Sequence, residues 1–210
     1  MTTEEKLTIL SFDEMYLSHQ IDFDRKKEQV IGPHKSVQVV MARGLISKWK
    51  QPIFYKYDTP LTSEILFDII EKLHEVGFNV VGVVSDMGPT NQGLLKSISV
   101  SYEQPNFKHP ITGQRVHVFA DIPYLIKLCR NNYLDHSFIL KDNENETFIG
   151  INTLNELMEI STQDLKLPYK LSHNHLNCTG PMRQKVKLAS QLFSNTVATA
   201  VAYVGQKGAI

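Results

Sequence analysis

The stretch Leu7–Asp13, LTILSFD, is a short apolar run that ends on a carboxylate. A buried strand of Leu, Ile, Leu and Phe has no place for an Asp inside it, because an ionised carboxylate is costly to desolvate unless a cation faces it. Asp13 therefore belongs at a strand end, at the mouth of a sheet, where a metal ion or substrate can reach it. Val80–Asp86, VVGVVSD, has the same form, and Val116–Asp121, VHVFAD, has it again. Three strand-like runs closing on acids predict one acidic edge of one sheet.

Between the first two runs the chain reads as a strand meander. Asp22–Lys27, DFDRKK, is polar between apolar segments and predicts a hairpin tip or edge. Val37–Val40 and Ile53–Tyr57 are β-branched and aromatic, which predicts two more strands, with Trp49 between them as a core or sheet-face anchor. The period then changes. Ile65, Leu66, Ile69, Ile70, Leu73 and Val76 recur at helical spacing, with Thr62 or Ser63 as N-cap and Gly77 as the stop. After the strand at Val80–Ser85, Thr90–Ile98 predicts a helix, and Tyr102–Gly113, with Pro105 and Pro110, a loop. Val116–Ala120 is a strand, and Pro123–Leu134 a helix with Leu125, Leu128 and Cys129 inward. The predicted fold is α/β: a ribonuclease H-like mixed five-stranded sheet with flanking helices, followed by a C-terminal helical segment.

The polar break at Lys141–Thr147, KDNENET, predicts a boundary, giving domains at 1–140 and 141–210. Beyond it, Thr153–Ile160 reads as a short helix and Leu171–Pro181 as irregular. Met182–Val204 reads as the strongest helix, with Val186, Ala189, Phe193, Val197, Ala200 and Val204 on one stripe.

Composition sets outer limits. With 42% hydrophobic and 21% charged residues, the chain is globular rather than disordered. Lys+Arg and Asp+Glu balance at 22 each, so nucleic-acid binding must come from local patches. Arg25-Lys26-Lys27 is one such patch, read first as a solvated turn and otherwise as a phosphate contact. MTTEEKLTIL lacks the pattern of a signal peptide, no run has the length of a membrane span, and Cys129 and Cys178 read as free thiols.

Phosphoryl transfer on nucleic acid commonly uses two divalent ions, and hard ions such as Mg²⁺ take oxygen ligands from few protein groups. Asp13 and Asp86, on strands that pair in a ribonuclease H-like sheet, fit that need. The competing reading, in which each Asp opens a turn or caps the next helix, stays open at this point. Other motifs fall away. Gly88–Ser97 imitates a phosphate loop, but two Leu separate its second Gly from Lys96. His173, His175 and Cys178 lack a fourth zinc ligand nearby. A proofreading exonuclease would need Asp-x-Glu, whereas Glu14 follows Asp13 directly and points to the opposite face. Arg183, Lys185 and Lys187 at the start of the long helix are candidates for a GTP-phosphate or DNA-backbone contact, against a solvated basic face.

Several blocks resemble the P-element family of DNA transposases, also called THAP-type transposases. They are Ser11-Phe12-Asp13-Glu14-Met15, Val30-Ile31-Gly32-Pro33-His34, Met41-Ala42-Arg43-Gly44-Leu45 and Trp49-Lys50-Gln51-Pro52. Ser85-Asp86-Met87-Gly88 with Asn91, Lys127–Asn132 and Met182–Val197 continue the resemblance in order. It implies a ribonuclease H-like core that cuts and joins transposon-end DNA in the nucleus with Mg²⁺ or Mn²⁺, with homo-oligomers possible. Asp13 and Asp86 match the first two catalytic and metal-binding acids, with Asn91 and Asp121 near the site. It also implies a GTP-binding insertion starting near Lys141.

Departures from the family pattern temper this. No zinc finger precedes Met1, Tyr124 stands where a His is more usual, and the family's final catalytic Glu has no counterpart. Glu156 and Glu159 are poor substitutes. The expectation is a portion truncated at both ends and inefficient in strand transfer, with a domesticated, non-enzymatic DNA- or protein-binding module as the alternative.

Overall fold

A computed structural model describes residues 1–18, 20–142, 145–160 and 167–207. The chain forms two compact units, Met1–Asp121 and Ile122–Ile210.

The first unit is built on one mixed sheet. Its strands are β1 (Leu7–Tyr16), β4 (Ser36–Gly44), β5 (Lys50–Tyr57), β6 (Asn79–Ser85), β7 (Asn106–Lys108) and β8 (Arg115–Ala120), in the order β5-β4-β1-β6-β8-β7. A separate hairpin, β2 (Asp22–Asp24) with β3 (Gln29–Ile31), carries the basic tip. β1 is antiparallel to β4 and parallel to β6, and β6 is parallel to β8. Alternation along β1 sends Leu10 and Phe12 into the core beside Val40, Val83 and Val116. Pro52 sits in β5, an outermost strand, where a missing N–H costs least.

Helix α1 (Ser63–Glu75) covers the sheet with Leu66, Ile69 and Ile70. Its ends follow the expected chemistry. The Thr62 side chain accepts from the Ile65 N–H at 3.4 Å. Gly77, at φ +87°, turns the chain so that its own N–H reaches the His74 carbonyl and the Phe78 N–H reaches that of Leu73. Val76, expected on the buried stripe, is the C-cap and lies exposed. Trp49 packs against the core and donates its indole N–H to the Glu5 carbonyl at 3.3 Å.

The sheet has a sixth strand where a loop was expected. β7 pairs with β8, Phe107 opposite Val116, and Phe107 is buried. Three residues between Pro105 and Pro110 are too few to show a period, so one buried aromatic is the only sequence trace of this edge strand.

The second unit begins earlier than the polar break at 141. Helix α3 (Ile122–His136) belongs to it, because Tyr133 joins the core of Leu154, Leu157, Leu171, Leu192 and Val197. The expected inward face of α3 is also wrong: Leu128 and Cys129 are exposed, while Arg130 and Tyr133 are buried. Much of the polar break is a hairpin, β9 (Phe138–Asp142) with β10 (Asn145–Ile149), its residues 143–144 lying outside the described residues. α4 (Asn152–Ile160) matches expectation, and α5 (His173–Leu176) is one turn inside the segment read as irregular.

The long C-terminal helix is three pieces: a 3₁₀ turn at Gly180–Gln184, α6 (Val186–Leu192) and α7 (Asn195–Gln206). Lys185 and Ser194 take extended backbone angles at the junctions. Ser194 is a residue type that is weak in helix interiors, and it starts α7 afresh as its N-cap, although its hydroxyl makes no capping hydrogen bond. The buried set becomes Ala189, Leu192, Val197, Ala200 and Val204, with Phe193 turned outward.

Candidate functional site

The β1–β6 ladder ends with Phe12 opposite Ser85, so the next residues, Asp13 and Asp86, lie side by side where β6 stops, with strands spaced by about 4.8 Å. Asp13 is not at the expected strand end, because β1 runs on to Tyr16 in its pairing with β4. β8 adds the third member: Ala120 lies opposite Ser85, and the Asp121 N–H donates to the Ser85 carbonyl at 2.8 Å. The acidic edge expected from three strand-end carboxylates is therefore present. Asp13, Asp86 and Asp121 line one cavity of about 240 Å³ together with Ser11, Met41 and Ser85.

Each acid has a distinct setting. Asp13 is exposed; its Oδ1 accepts from the Glu14 N–H at 2.9 Å, and its carbonyl accepts from Gln38 Nε2 at 3.0 Å. Asp86 is half-buried at the start of α2 (Pro89–Ser97), and its Oδ1 accepts from the Gly88 N–H at 3.0 Å and from Asn91 Nδ2 at 2.6 Å. Asn91 is only 8% exposed, held inward by α2 beside Leu94 and Leu95. Asp121 is half-buried.

Two contributors gave no functional signal in the sequence. Gln38 is a buried amide in a β-branched run, and it ties the end of β1 to β4. Ser85 is 2% exposed, lines the acidic cavity, and its Oγ has no hydrogen-bond partner. A buried hydroxyl left unpaired calls for a polar group that the protein does not supply.

The donor set suits a hard cation. Among the described residues no three Asp, Glu, His or Cys side chains converge closely enough to form a metal cage. Two carboxylates at an open cavity, with an unpaired hydroxyl beside them, instead match an ion that keeps several waters and takes one or two carboxylates, as Mg²⁺ does.

The basic candidates in the second unit separate. Arg183 is committed to Asp135 by a two-pronged ion pair, one prong Nη1 to Oδ2 at 2.7 Å and the other Nη2 to Oδ1, and its Nε donates to the Cys178 carbonyl at 3.0 Å. That pairing holds the Asp135 carboxyl below the usual carboxylate range and raises the guanidinium above its ordinary value. Arg183 is thus part of the unit's own framework rather than an open anion contact. Lys185 and Lys187 are exposed at the start of α6. Glu156 and Glu159 are exposed on α4.

His175 and Cys178 have structural partners. His175 is buried, with Nδ1 accepting from the Ser172 N–H at 3.1 Å and Nε2 at 3.1 Å from Gln191 Oε1. Cys178 Sγ accepts from Arg130 Nη1 at 3.2 Å. Arg130, fully buried, also donates to Asn131 Oδ1 and to the Arg183 carbonyl.

Neighbouring acids on parallel β1 and β6, in a sheet where β1, β4 and β5 run antiparallel, define a ribonuclease H-like fold. The comparisons with known proteins narrow the class. Residues 1–99 match the family described as TNP-like, RNase H N-terminal domain, and residues 123–209 match TNP-like, GTP-binding insertion domain. The chain belongs to the P-element-type transposases, as their RNase H-like portion with insertion-domain sequence. It is 37% identical to the Transposable element P transposase of Drosophila melanogaster over 94% of its own length and 26% of that protein's. It is 27% identical to DNA transposase THAP9 of Homo sapiens over 79% of its own length and 19% of that protein's. Its fold superposes on the Drosophila P element transposase strand transfer complex with a TM-score of 0.88 at 36% identity, covering 97% of this chain and 46% of that one. The chain thus spans about a quarter of the Drosophila relative. Among the described residues no helix is long and apolar enough to cross a membrane.

Proposed function

We propose that the first unit is the cation-dependent core of a DNA-cleaving and strand-transferring protein that acts on transposon ends in the nucleus. The observation that carries this reading is the parallel pairing of β1 with β6, which makes Asp13 and Asp86 neighbours just beyond the Phe12–Ser85 pair. These two residues hold Mg²⁺ or Mn²⁺, and Asn91 and Asp121 flank them without serving as firm ligands. When bound, the cation activates the attacking oxygen and stabilises the leaving oxygen of an in-line displacement at phosphorus.

The chain's own residues do the rest. Without a cation, the carboxylates repel a phosphate backbone, so docking of DNA at this edge is coupled to cation loading. Ser85 supplies a hydroxyl for a water or phosphate oxygen in the cavity. The relative solved as a strand transfer complex supports DNA as the partner.

For the second unit, the family description supports GTP as ligand. With Arg183 paired to Asp135, Lys185 and Lys187 are the candidates left to meet its phosphates. Reversing both charges is expected to lower GTP affinity; unchanged affinity removes them from the site.

The test of the main reading is a calorimetric titration with Mn²⁺. Asp13→Asn and Asp86→Asn are each expected to weaken binding at least about tenfold while the protein stays folded. Equal affinity in all three proteins refutes it. The second reading is a non-enzymatic DNA-binding module. DNA binding that needs neither cation nor Asp13 would support it.

A further inference from the structure

We propose that Asn91 and Gly88 form a cradle that locks the Asp86 side chain in one orientation, committing Oδ1 to the protein and leaving Oδ2 to the acidic cavity. Asn91 is then a positioning residue for the site, not a ligand. The proposal rests on the cation-binding reading above for its purpose, but not for its geometry.

Two hydrogen bonds to Asp86 converge on the same oxygen, from Asn91 Nδ2 at 2.6 Å and from the Gly88 N–H at 3.0 Å. An ionised carboxylate only accepts, so the Asn91 amide must present its NH₂ and cannot swing to offer its oxygen. Hydrogen bonds to a charged acceptor are among the stronger ones, and the short distance fits that. Asn91 is itself fixed, being buried on α2. α2 starts at Pro89, whose ring sets the backbone angle of the first helical turn and so places Asn91 relative to Asp86.

Gly88 closes the cradle from the other side. Its φ of −64° and ψ of 157° suit any residue, so backbone freedom is not why glycine stands there. A Cβ at this position would lie 3.2 Å from Asp86 Oδ1 and 3.6 Å from Oδ2. A side chain would therefore press on the carboxylate. The close approach of the acid favours glycine here, since a Cβ would oblige the carboxylate to shift by a few tenths of an ångström.

The consequence is pre-organisation. A strand-end carboxylate free to rotate must be ordered each time it takes a cation, whereas one already held presents a single oxygen. Partners that orient metal ligands typically change affinity 10- to 100-fold when removed.

The experiment compares wild type with Asn91→Ala, Asn91→Asp and Gly88→Ala by two readouts. The first is the χ1 distribution of Asp86 in cation-free protein, from side-chain scalar couplings in isotope-labelled samples. The second is Mn²⁺ affinity by calorimetry. Wild type is expected to show one Asp86 rotamer. All three variants are expected to show rotamer averaging and Mn²⁺ binding at least about tenfold weaker. Gly88→Ala leaves Asn91 and the helix sequence intact, so it carries the test if the Asn91 variants do not fold. An averaged Asp86 in wild type, or a single unchanged rotamer in folded variants, overturns the cradle. Loss of the rotamer with unaltered Mn²⁺ affinity overturns its role at the site. A locked Asp86 in a wild type that binds no Mn²⁺ upholds the cradle and defeats the cation reading instead.

Discussion

Replacing Ser85 by Ala is expected to stabilise the cation-free protein. The Ser85 hydroxyl is 2% exposed and has no partner, so the folded state bears the cost of desolvating it. An unsatisfied buried polar group costs about 1–3 kcal/mol, and removing it sacrifices only a little packing, so a net gain of about 1 kcal/mol follows. For a chain of this size that raises the melting temperature by about 2–4 °C. With Mn²⁺ the order changes. Cation at a hundred times its dissociation constant stabilises wild type by about 2.7 kcal/mol. If loss of the hydroxyl weakens binding tenfold, the variant gains only about 1.4 kcal/mol at the same concentration. The two proteins should then melt at nearly the same temperature in Mn²⁺, although the variant leads in EDTA. Thermal melts monitored by circular dichroism in both conditions measure this. A Ser85→Ala protein less stable than wild type in EDTA would mean that the hydroxyl already has a partner, and the argument for a missing polar group in the cavity would fail.

Three further outcomes follow from the packing. Leu66→Ala removes a fully buried side chain from the α1–sheet interface and should cost about 2–5 kcal/mol, read as a lower urea midpoint. Burial, with the nearby His74, lowers the His109 pKa below the ordinary 6.5. As pH falls below about 6.5, the unfolded chain takes up a proton that folded His109 resists. Stability should therefore drop between pH 7 and pH 5.5, and denaturant titrations of His109→Asn should show a shallower drop. Asp135, held low by Arg183, works in the opposite sense to a raised group: its contribution is full above about pH 4 and is lost as pH falls through its folded value. Asp135→Asn should loosen α3 and the 3₁₀ turn at neutral pH, seen as faster amide exchange there, with little change near pH 2.

The legible parts of the sequence were those where a period and a chemical anomaly coincide. An apolar run that closes on Asp is conspicuous, and two such runs that pair in parallel put their acids together, as Phe12 opposite Ser85 shows, although β1 itself runs past Asp13 to Tyr16. Helix α1 was legible because its stripe, its Thr62 cap and its Gly77 stop agree. Failures came where a residue acts against its type. Arg130 is buried because three acceptors surround it, and no pattern in sequence announces that. Ser194 interrupts a stripe that looks continuous, since its backbone turns extended while the apolar spacing shifts by a residue. Gln38 and Ser85 are small polar residues in strands, indistinguishable in sequence from surface positions, and only the register of the sheet gives them work.

The pairing of β1 with β6 also bears on when the two acids can meet as the chain is made. β1, β4 and β5 join through near neighbours in sequence, while β6 must cross from beyond α1 to reach β1. Local hairpins form readily and distant pairings late. A nascent chain that has not been made beyond α1 therefore carries Asp13 without Asp86. The two acids come together only at the step that pairs β6 with β1.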